Sequence, residues 1–269
     1  MIGKALTFYS IAKKEGVKQA LRKSNNYILK RVLPSPIKSR WLKKSYSIPN
    51  DFQDYEHPPN PYKPLWVSPD NIQQFSGRDY PPYHGNNARL GVVMDGEWDK
   101  NKPKEIDPEY KPRYNLYRED ANCFSESKFY QSLENHFLND VPWEKTEWYQ
   151  ISTDYIKEGK STSKGITSVE DLGKRCREID RLFQKIRNEG YQSQKNLGNY
   201  PAAAKEVNID IARDGTLLFV NGRNRLSIAK ILDIDKIPVG VYVRHSEWME
   251  HRDKIIPTTA SHSHPDIDI

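Results

Sequence analysis

Cysteine is nearly absent from this chain. The two that occur, Cys123 and Cys176, stand in no CxxC or Cys/His spacing, which argues against a zinc site or a disulfide framework and predicts two reduced thiols. Long apolar runs are missing too. No stretch approaches the roughly 20 residues that a helix needs to span a bilayer, and the N-terminal residues lack the compact apolar core of a secretory signal, so a cytoplasmic chain is expected. Internal repeats, a P-loop, HExxH, GxSxG and an EF-hand loop are also absent. Those absences remove the motifs that mark common NTPases, metalloproteases and serine hydrolases, and nothing points to zinc, haem or flavin.

What is present is charge, unevenly placed. The 269 residues carry a formal net charge of +6, but residues 1–45 hold twelve Lys/Arg against Glu15 alone, which makes this arm +11 and the remainder −5. Leu6, Ile11, Val17, Leu21, Ile28 and Val32 recur on one side of a helix before Pro34 and Pro36 stop it. Three uses are open to such a basic amphipathic helix: an anionic membrane surface, the backbone of DNA or RNA, or packing on its own domain. The first two would place the protein at a membrane periphery or at the nucleoid. Residues 1–48 thus read as a basic helical extension. The five prolines of 49–64 read as an extended linker, 65–250 as the folded domain, and 251–269 as a disordered tail.

Within the domain, Leu65-Trp66-Val67 predicts a strand running into a short helix, and 73–90 is turn-like. Phe129, Leu133 and Phe137, four apart, predict a helix over 127–139. In 141–149, Trp143, Trp148 and Tyr149 either clasp a loop to the core or stack on a base. The clearest helix follows. Val169, Leu172, Cys176, Ile179, Phe183 and Ile186 keep a 3-4-3-4-3 spacing, Thr167-x-x-Glu170 reads as a capping box and Gly190 as the stop.

Two stretches carry candidate chemistry. The short strand 91–94 ends on Asp95, Glu97 and Asp99, which would share one face if the chain stayed extended. That face could hold Mg²⁺ on Asp95 and Asp99 beside a nucleotide, or supply a base. Equally, Asp95-Gly96 is a turn and the acids are plain surface. The second stretch, 207–245, organises the chain. Val207/Ile209/Ile211 and Leu218/Val220 alternate around Arg213-Asp214-Gly215, a hairpin signal. The second strand then meets a glycine that opens a helix, with Asn221, Gly222, Arg223, Asn224 and Arg225 crowding the first turn. Unsatisfied N–H groups and two arginines at a helix N-terminus form an anion site suited to phosphate. His245, closing the last strand, reads either as an acid or base reaching that site or as a capping residue.

The run Asn221-Gly222-Arg223-Asn224-Arg225-Leu226-Ser227-Ile228-Ala229, followed by a short helix and an Ile-Pro-Val strand, resembles the Gly-x-x-Arg box of the ParB/sulfiredoxin superfamily. The resemblance covers about 40 residues closely and the chain from Trp66 onward loosely. It implies an α/β fold, a small mixed sheet with packed helices, and a nucleotide, ATP or CTP with Mg²⁺, held at the box. Branches of the superfamily act as CTPases, ATP-dependent sulfinic-acid reductases, free-serine kinases or nucleases, so phosphoryl transfer, NTP hydrolysis and nuclease action are the enzymatic expectations. Arg223 stands where sulfiredoxins carry their catalytic cysteine, which removes that redox chemistry. Asn221 and Asn224 replace an acid and a histidine of the kinase-like branch, and neither amide can take a proton near neutral pH, so a base would have to come from elsewhere. The second box and helix-turn-helix domain of the chromosome-partitioning branch are absent. A non-catalytic nucleic-acid-binding protein using the basic arm is the alternative.

Overall fold

Alternating apolar residues build a mixed sheet. A computed structural model describes residues 52, 54–77, 90–100, 123–162, 165–199, 202–257 and 264–267, all within the unit Ile48–Ile269. The expected N-terminal helix lies outside the described residues. The strands are β1 (Leu65–Val67), β2 (Ile72–Phe75), β3 (Val92–Met94), β4 (Val207–Ile211), β5 (Leu217–Asn221) and β6 (Ile237–His245). The helices are α1 (Lys128–Leu138), α2 (Glu147–Lys157), α3 (Val169–Glu189), α4 (Arg223–Ile231) and α5 (Ser246–Ile255). The sheet runs β1-β6-β4-β5-β2, with β3 also paired to β6. β4 lies parallel along one edge of β6. The other edge is shared by β1, antiparallel to 237–239, and by β3, parallel to 243–245. The expected α/β class is what the structure shows.

Side chains alternate across these strands and fill both faces. Val207, Ile209 and Ile211 join Phe219 and Val241 on one side, closed by Leu226 and Ala229 of α4 and Trp248 of α5. Leu218, Val220, Tyr242 and Val243 pack on the other with Val92 and Trp98. A third core forms between α1, α2 and α3 from Phe129, Leu133, Trp148, Leu172, Ile179 and Phe183, and Ile228 of α4 joins it. α4 is thereby wedged between the sheet and the helical layer, which fixes its first turn.

Burial on both faces makes β4 different from the half-exposed strand that its alternation suggests, because its polar residues are inside as well. Asp210 is fully buried. Its carboxylate accepts from the Ser76 hydroxyl at 2.6 Å and from the Val243 N–H at 3.1 Å. The latter bond lies at a bulge where β6 advances from Val241 to Arg244 while β4 advances from Ile209 to Ile211. The side chain thus satisfies a donor near the irregular pairing.

Several expectations change. β2 occupies residues expected to be turn-like, with Ile72 and Phe75 buried and Gln73 and Gln74 between them exposed. The N-cap of α3 is Ser168, one residue after the expected Thr167, and its hydroxyl accepts the Asp171 N–H at 3.1 Å. Residues 141–149 are a 3-10 turn and the start of α2, and Trp143 and Trp148 are both buried, so neither tryptophan is a stacking platform for a base. The expected linker is docked: Phe52, Pro59 and Pro61 are buried, and the N–H groups of Glu56 and His57 donate to Asp253 at 2.9 and 3.0 Å. The expected tail is partly folded too. α5 runs to Ile255, and Asp266 lies buried between Arg244, Arg252 and the Trp248 indole N–H, which donates at 3.0 Å. Two buried guanidinium groups require a buried counter-charge, and polar composition concealed that this segment supplies it.

Candidate functional site

The hairpin and the helix after it place the two candidate stretches at opposite ends of β5. The tip, residues 212–216, is one end; Asn221, paired with Asn208 of β4, is the other. Five extended residues put about 15 Å between them.

At the tip, the three acids do not form an extended face. The strand ends at Met94, and Gly96 with φ +93° turns the chain. Arg213 gathers the residues around that turn. Its Nε and backbone N–H donate to Asp99 Oδ2 at 2.9 and 3.1 Å, and Nη2 donates to Asp99 Oδ1 and to the Gly96 carbonyl, both at 2.8 Å. Nη1 reaches Glu97 at 3.2 Å and Glu247 at 3.3 Å. Burial alone would raise the Asp99 carboxyl, but the hydrogen bonds from Arg213 outweigh it and hold the group at about 2. Both Asp99 oxygens are thus committed to a guanidinium, and Asp95 is exposed. No group of three His, Cys, Asp or Glu able to hold a metal occurs among the described residues. Of the expected Mg²⁺ ligands Asp95 and Asp99 and the expected base among Asp95, Glu97 and Asp99, Asp99 and Glu97 belong to a clasp that ties the end of β3 to the hairpin, and Asp95 stands exposed at the same turn.

His245 sits at this same end, paired with Met94, and does not reach the arginine box. Its Nδ1 accepts the Glu247 N–H at 3.2 Å, which leaves the proton on Nε2 to be donated to the Gly96 carbonyl at 2.8 Å. Both ring nitrogens are engaged in capping α5 and anchoring the β3 turn. The capping alternative is the one the geometry supports.

The other end is built from closer packing and sparser charge. Gly240 of β6 has no side chain because the turn Ala203–Lys205 lies across it; a Cβ there would collide with the Ala203 carbonyl. That carbonyl accepts the Asn208 side-chain N–H at 2.9 Å. The turn delivers Glu206, with a wholly buried side chain, beneath the first turn of α4. Gly222 makes the entry into α4 with φ +93° and ψ 24°. A Cβ on Gly222 would lie 3.0 Å from the Val207 Cα, so both its backbone conformation and its closeness to β4 require glycine. The Gly222 carbonyl accepts the N–H groups of Arg225 and Leu226 at 3.0 and 3.1 Å and starts the helix.

The box residues divide. Arg223 lies with its guanidinium 4.5 Å from the centre of the buried Phe129 ring of α1, a cation–π contact between α4 and α1. Arg225 turns toward β4: Nη2 donates to the Lys205 carbonyl and Nη1 approaches Glu206 Oε2 at 3.4 Å. Asn221 is exposed, and Asn224 is half-buried beside the arginines in the same turn. Glu206 Oε1 accepts the Gln194 N–H at 2.6 Å. Burial pushes the Glu206 carboxyl up to about 7, against the opposing pull of the Gln194 N–H and Arg225. Tyr191 completes the cluster. Burial pushes its phenol up to about 12, against the opposing pull of Arg225, whose guanidinium lies beside the hydroxyl.

The structure therefore sets Asn221, Gly222, Arg223, Asn224 and Arg225 in the turn that opens α4, with the two guanidinium groups on different partners, and leaves Asp95, Glu97, Asp99 and His245 at the far end. Glu206 and Tyr191, both part of the site, carry no mark in the sequence: each stands in a polar stretch between predicted elements. The chain matches no protein-family model, no curated protein and no solved structure. Among the described residues no helix is long and apolar enough to cross a membrane.

Proposed function

We propose that this chain is a ParB/sulfiredoxin-like domain that binds the phosphates of a nucleotide, ATP or CTP, at the first turn of α4. The observation that supports this reading is the strand–Gly222–helix turn with Arg225 in its first turn. That arginine is held by one backbone carbonyl and a single long approach to a carboxylate, with the Tyr191 hydroxyl beside it. A guanidinium presents five N–H donors, so part of its capacity remains for phosphate oxygens. Backbone N–H groups of the first turn and the positive end of the helix dipole add to the attraction. Arg223 contributes charge from its place over Phe129. Any Mg²⁺ that arrives with the nucleotide finds none of the tip carboxylates, since Asp99 is taken by Arg213 at the other end of β5. The chemistry assigned to this site is recognition by charge neutralisation. Phosphoryl transfer or hydrolysis would build on it through positioning.

Isothermal titration of ATP and CTP with Mg²⁺ into the full chain tests the proposal. Loss of a charge-assisted hydrogen bond costs about 1.5–3 kcal/mol, so Arg225→Ala is expected to weaken binding by at least tenfold, with Arg225→Lys intermediate. Unchanged affinity in Arg225→Ala, or no binding of either nucleotide to the wild type, would sink it.

A second reading rests on the asymmetry of charge, +11 over residues 1–45 against −5 elsewhere: DNA or RNA bound by the arm with the domain as a scaffold. Its signature is affinity that falls steeply with salt and vanishes when residues 1–45 are deleted.

A further inference from the structure

A buried carboxylate beside the proposed phosphate site has little to balance it. Glu206 enters from the turn before β4 with a side chain 0% exposed. From the segment after α3 it meets the Gln194 N–H at Oε1 and the field of the Tyr191 phenol; from α4 it meets Arg225 at Oε2. From its own segment Lys205 supplies only a carbonyl, and that carbonyl is bound to the same arginine. Arg225 is therefore the one cation facing Glu206 among the described residues, and it faces it at 3.4 Å rather than in a short fork. The nearby Tyr191 hydroxyl has no well-aligned partner, and the Arg225 guanidinium beside it is the group that pulls on its proton. The cluster of Tyr191, Glu206 and Arg225 thus holds a buried carboxylate and one cation that meets it only at long range.

A phosphate group at the first turn of α4 brings at least one further negative charge to Arg225. Two anions sharing one cation in a desolvated site repel strongly, and the weaker acid of the two relieves the repulsion by taking a proton. Glu206 is placed to be that acid, since burial already favours its neutral form. Once protonated it can donate as well as accept, and Arg225 becomes free to turn its fork toward phosphate. No covalent bond changes; a proton moves from solvent to Glu206 as the phosphate arrives.

We infer that Glu206 is the resident counter-ion of Arg225 in the empty protein, and that nucleotide binding replaces it, coupled to the uptake of one proton by Glu206. This inference rests on the phosphate reading of α4. It adds to that reading a control by pH.

The test is isothermal titration of ATP and CTP with Mg²⁺ into the full chain, at pH 8 and pH 6, each in two buffers of different ionisation enthalpy so that protons taken up are counted. In the wild type the count is expected to approach one per nucleotide at pH 8 and to fall toward zero at pH 6. Affinity should weaken by up to about tenfold per pH unit above 7, the limit for one linked proton. Glu206→Gln should bind at least as tightly as the wild type at pH 8 and take up no proton through this position, which also separates Glu206 from protons carried by the nucleotide. Binding by the wild type without proton uptake at pH 8, or the same uptake in Glu206→Gln, overturns the inference while the nucleotide site stands. Absence of binding at both pH values overturns the nucleotide reading and the inference with it. Should Glu206→Gln fail to fold, the wild-type proton count at pH 8 decides alone.

Discussion

Arg213 and Arg225 lie at the two ends of β5, each next to a positive-φ glycine turn, and each faces a carboxylate that is largely inside the protein. They differ in how completely they are answered. Arg213 is held by both oxygens of Asp99, by Glu97 and Glu247 and by a backbone carbonyl, and this company raises its own proton affinity further. Arg225 has one carbonyl, one carboxylate at 3.4 Å and the neutral Tyr191 hydroxyl beside it. A saturated arginine has no donor to offer a ligand and serves the fold. An undersatisfied one, on a helix N-terminus, is where a ligand's oxygens would lower the energy most. Basic character by itself does not tell them apart, and the local company of carboxylates does.

Breaking the saturated end should have the larger effect on stability. Asp99→Asn removes the bidentate partner of Arg213 and leaves a guanidinium at 20% side-chain exposure without its main counter-charge. Loss of this charge-assisted fork should lower Tm by more than any of the other substitutions, although Glu97 and Glu247 still face the guanidinium. The same variant should bind nucleotide normally once folded, because the box is at the other end of the strand. Differential scanning calorimetry and titration together check both halves. A loss of binding without loss of stability would mean that the two ends are coupled and that the contrast is wrong.

Changes of pH sharpen the comparison because the two carboxylates titrate in opposite senses. Asp99 is held at about 2, below its ordinary value; it contributes stability that is present above about pH 4 and lost as pH falls toward 2. Glu206 is pushed up to about 7 from 4.5. The folded state binds its proton more tightly than the unfolded chain does, so that contribution is complete below about pH 4.5 and is lost as pH rises through 7, by roughly 3 kcal/mol at most. Chemical denaturation between pH 4.5 and 8 should therefore show stability falling with pH from this group, and Glu206→Gln should flatten the slope. A slope unchanged in Glu206→Gln would show that the carboxyl is not titrating where its burial implies.

Much of the architecture was legible because it is written in periodicity. The hairpin 207–221, the helix after Gly222 and the long helix α3 each repeat apolar residues at the period of the element they form. The rest was hidden because it depends on partners distant in sequence. Trp148 and Tyr149 gave no clear helical pattern in the sequence, and the core they share with Leu172 and Phe183 holds them in place. Asp266 reads as tail until its carboxylate is seen paired with both Arg244 and Arg252. In the site, the box residues were legible as neighbours in one turn. Glu206 was not, since its burial is decided by Ala203 crossing over Gly240, an event 30-odd residues away in the chain. The acids 95–99 misled for a related reason: spacing two apart implies one face only in an extended chain, and Gly96 ends the extension.

Gly222 is where the sparse end can be altered most finely. Alanine at this position must hold φ near +93°, a left-handed conformation that costs about 1–2 kcal/mol for a residue with a Cβ. The new Cβ would also press on the Val207 Cα at 3.0 Å, where the neighbour is backbone of β4 and has little room to yield. Relief comes from moving the first turn of α4 away from β4, and that motion carries Arg225 away from Glu206. Gly222→Ala should therefore cost a little stability, less than Asp99→Asn, while shifting the Glu206 titration upward as its cation recedes, visible as a steeper fall of stability between pH 6 and 8. Loss of stability with no change in that pH dependence would mean that the turn adjusts elsewhere and that Gly222 does not set the distance between Arg225 and its counter-ion.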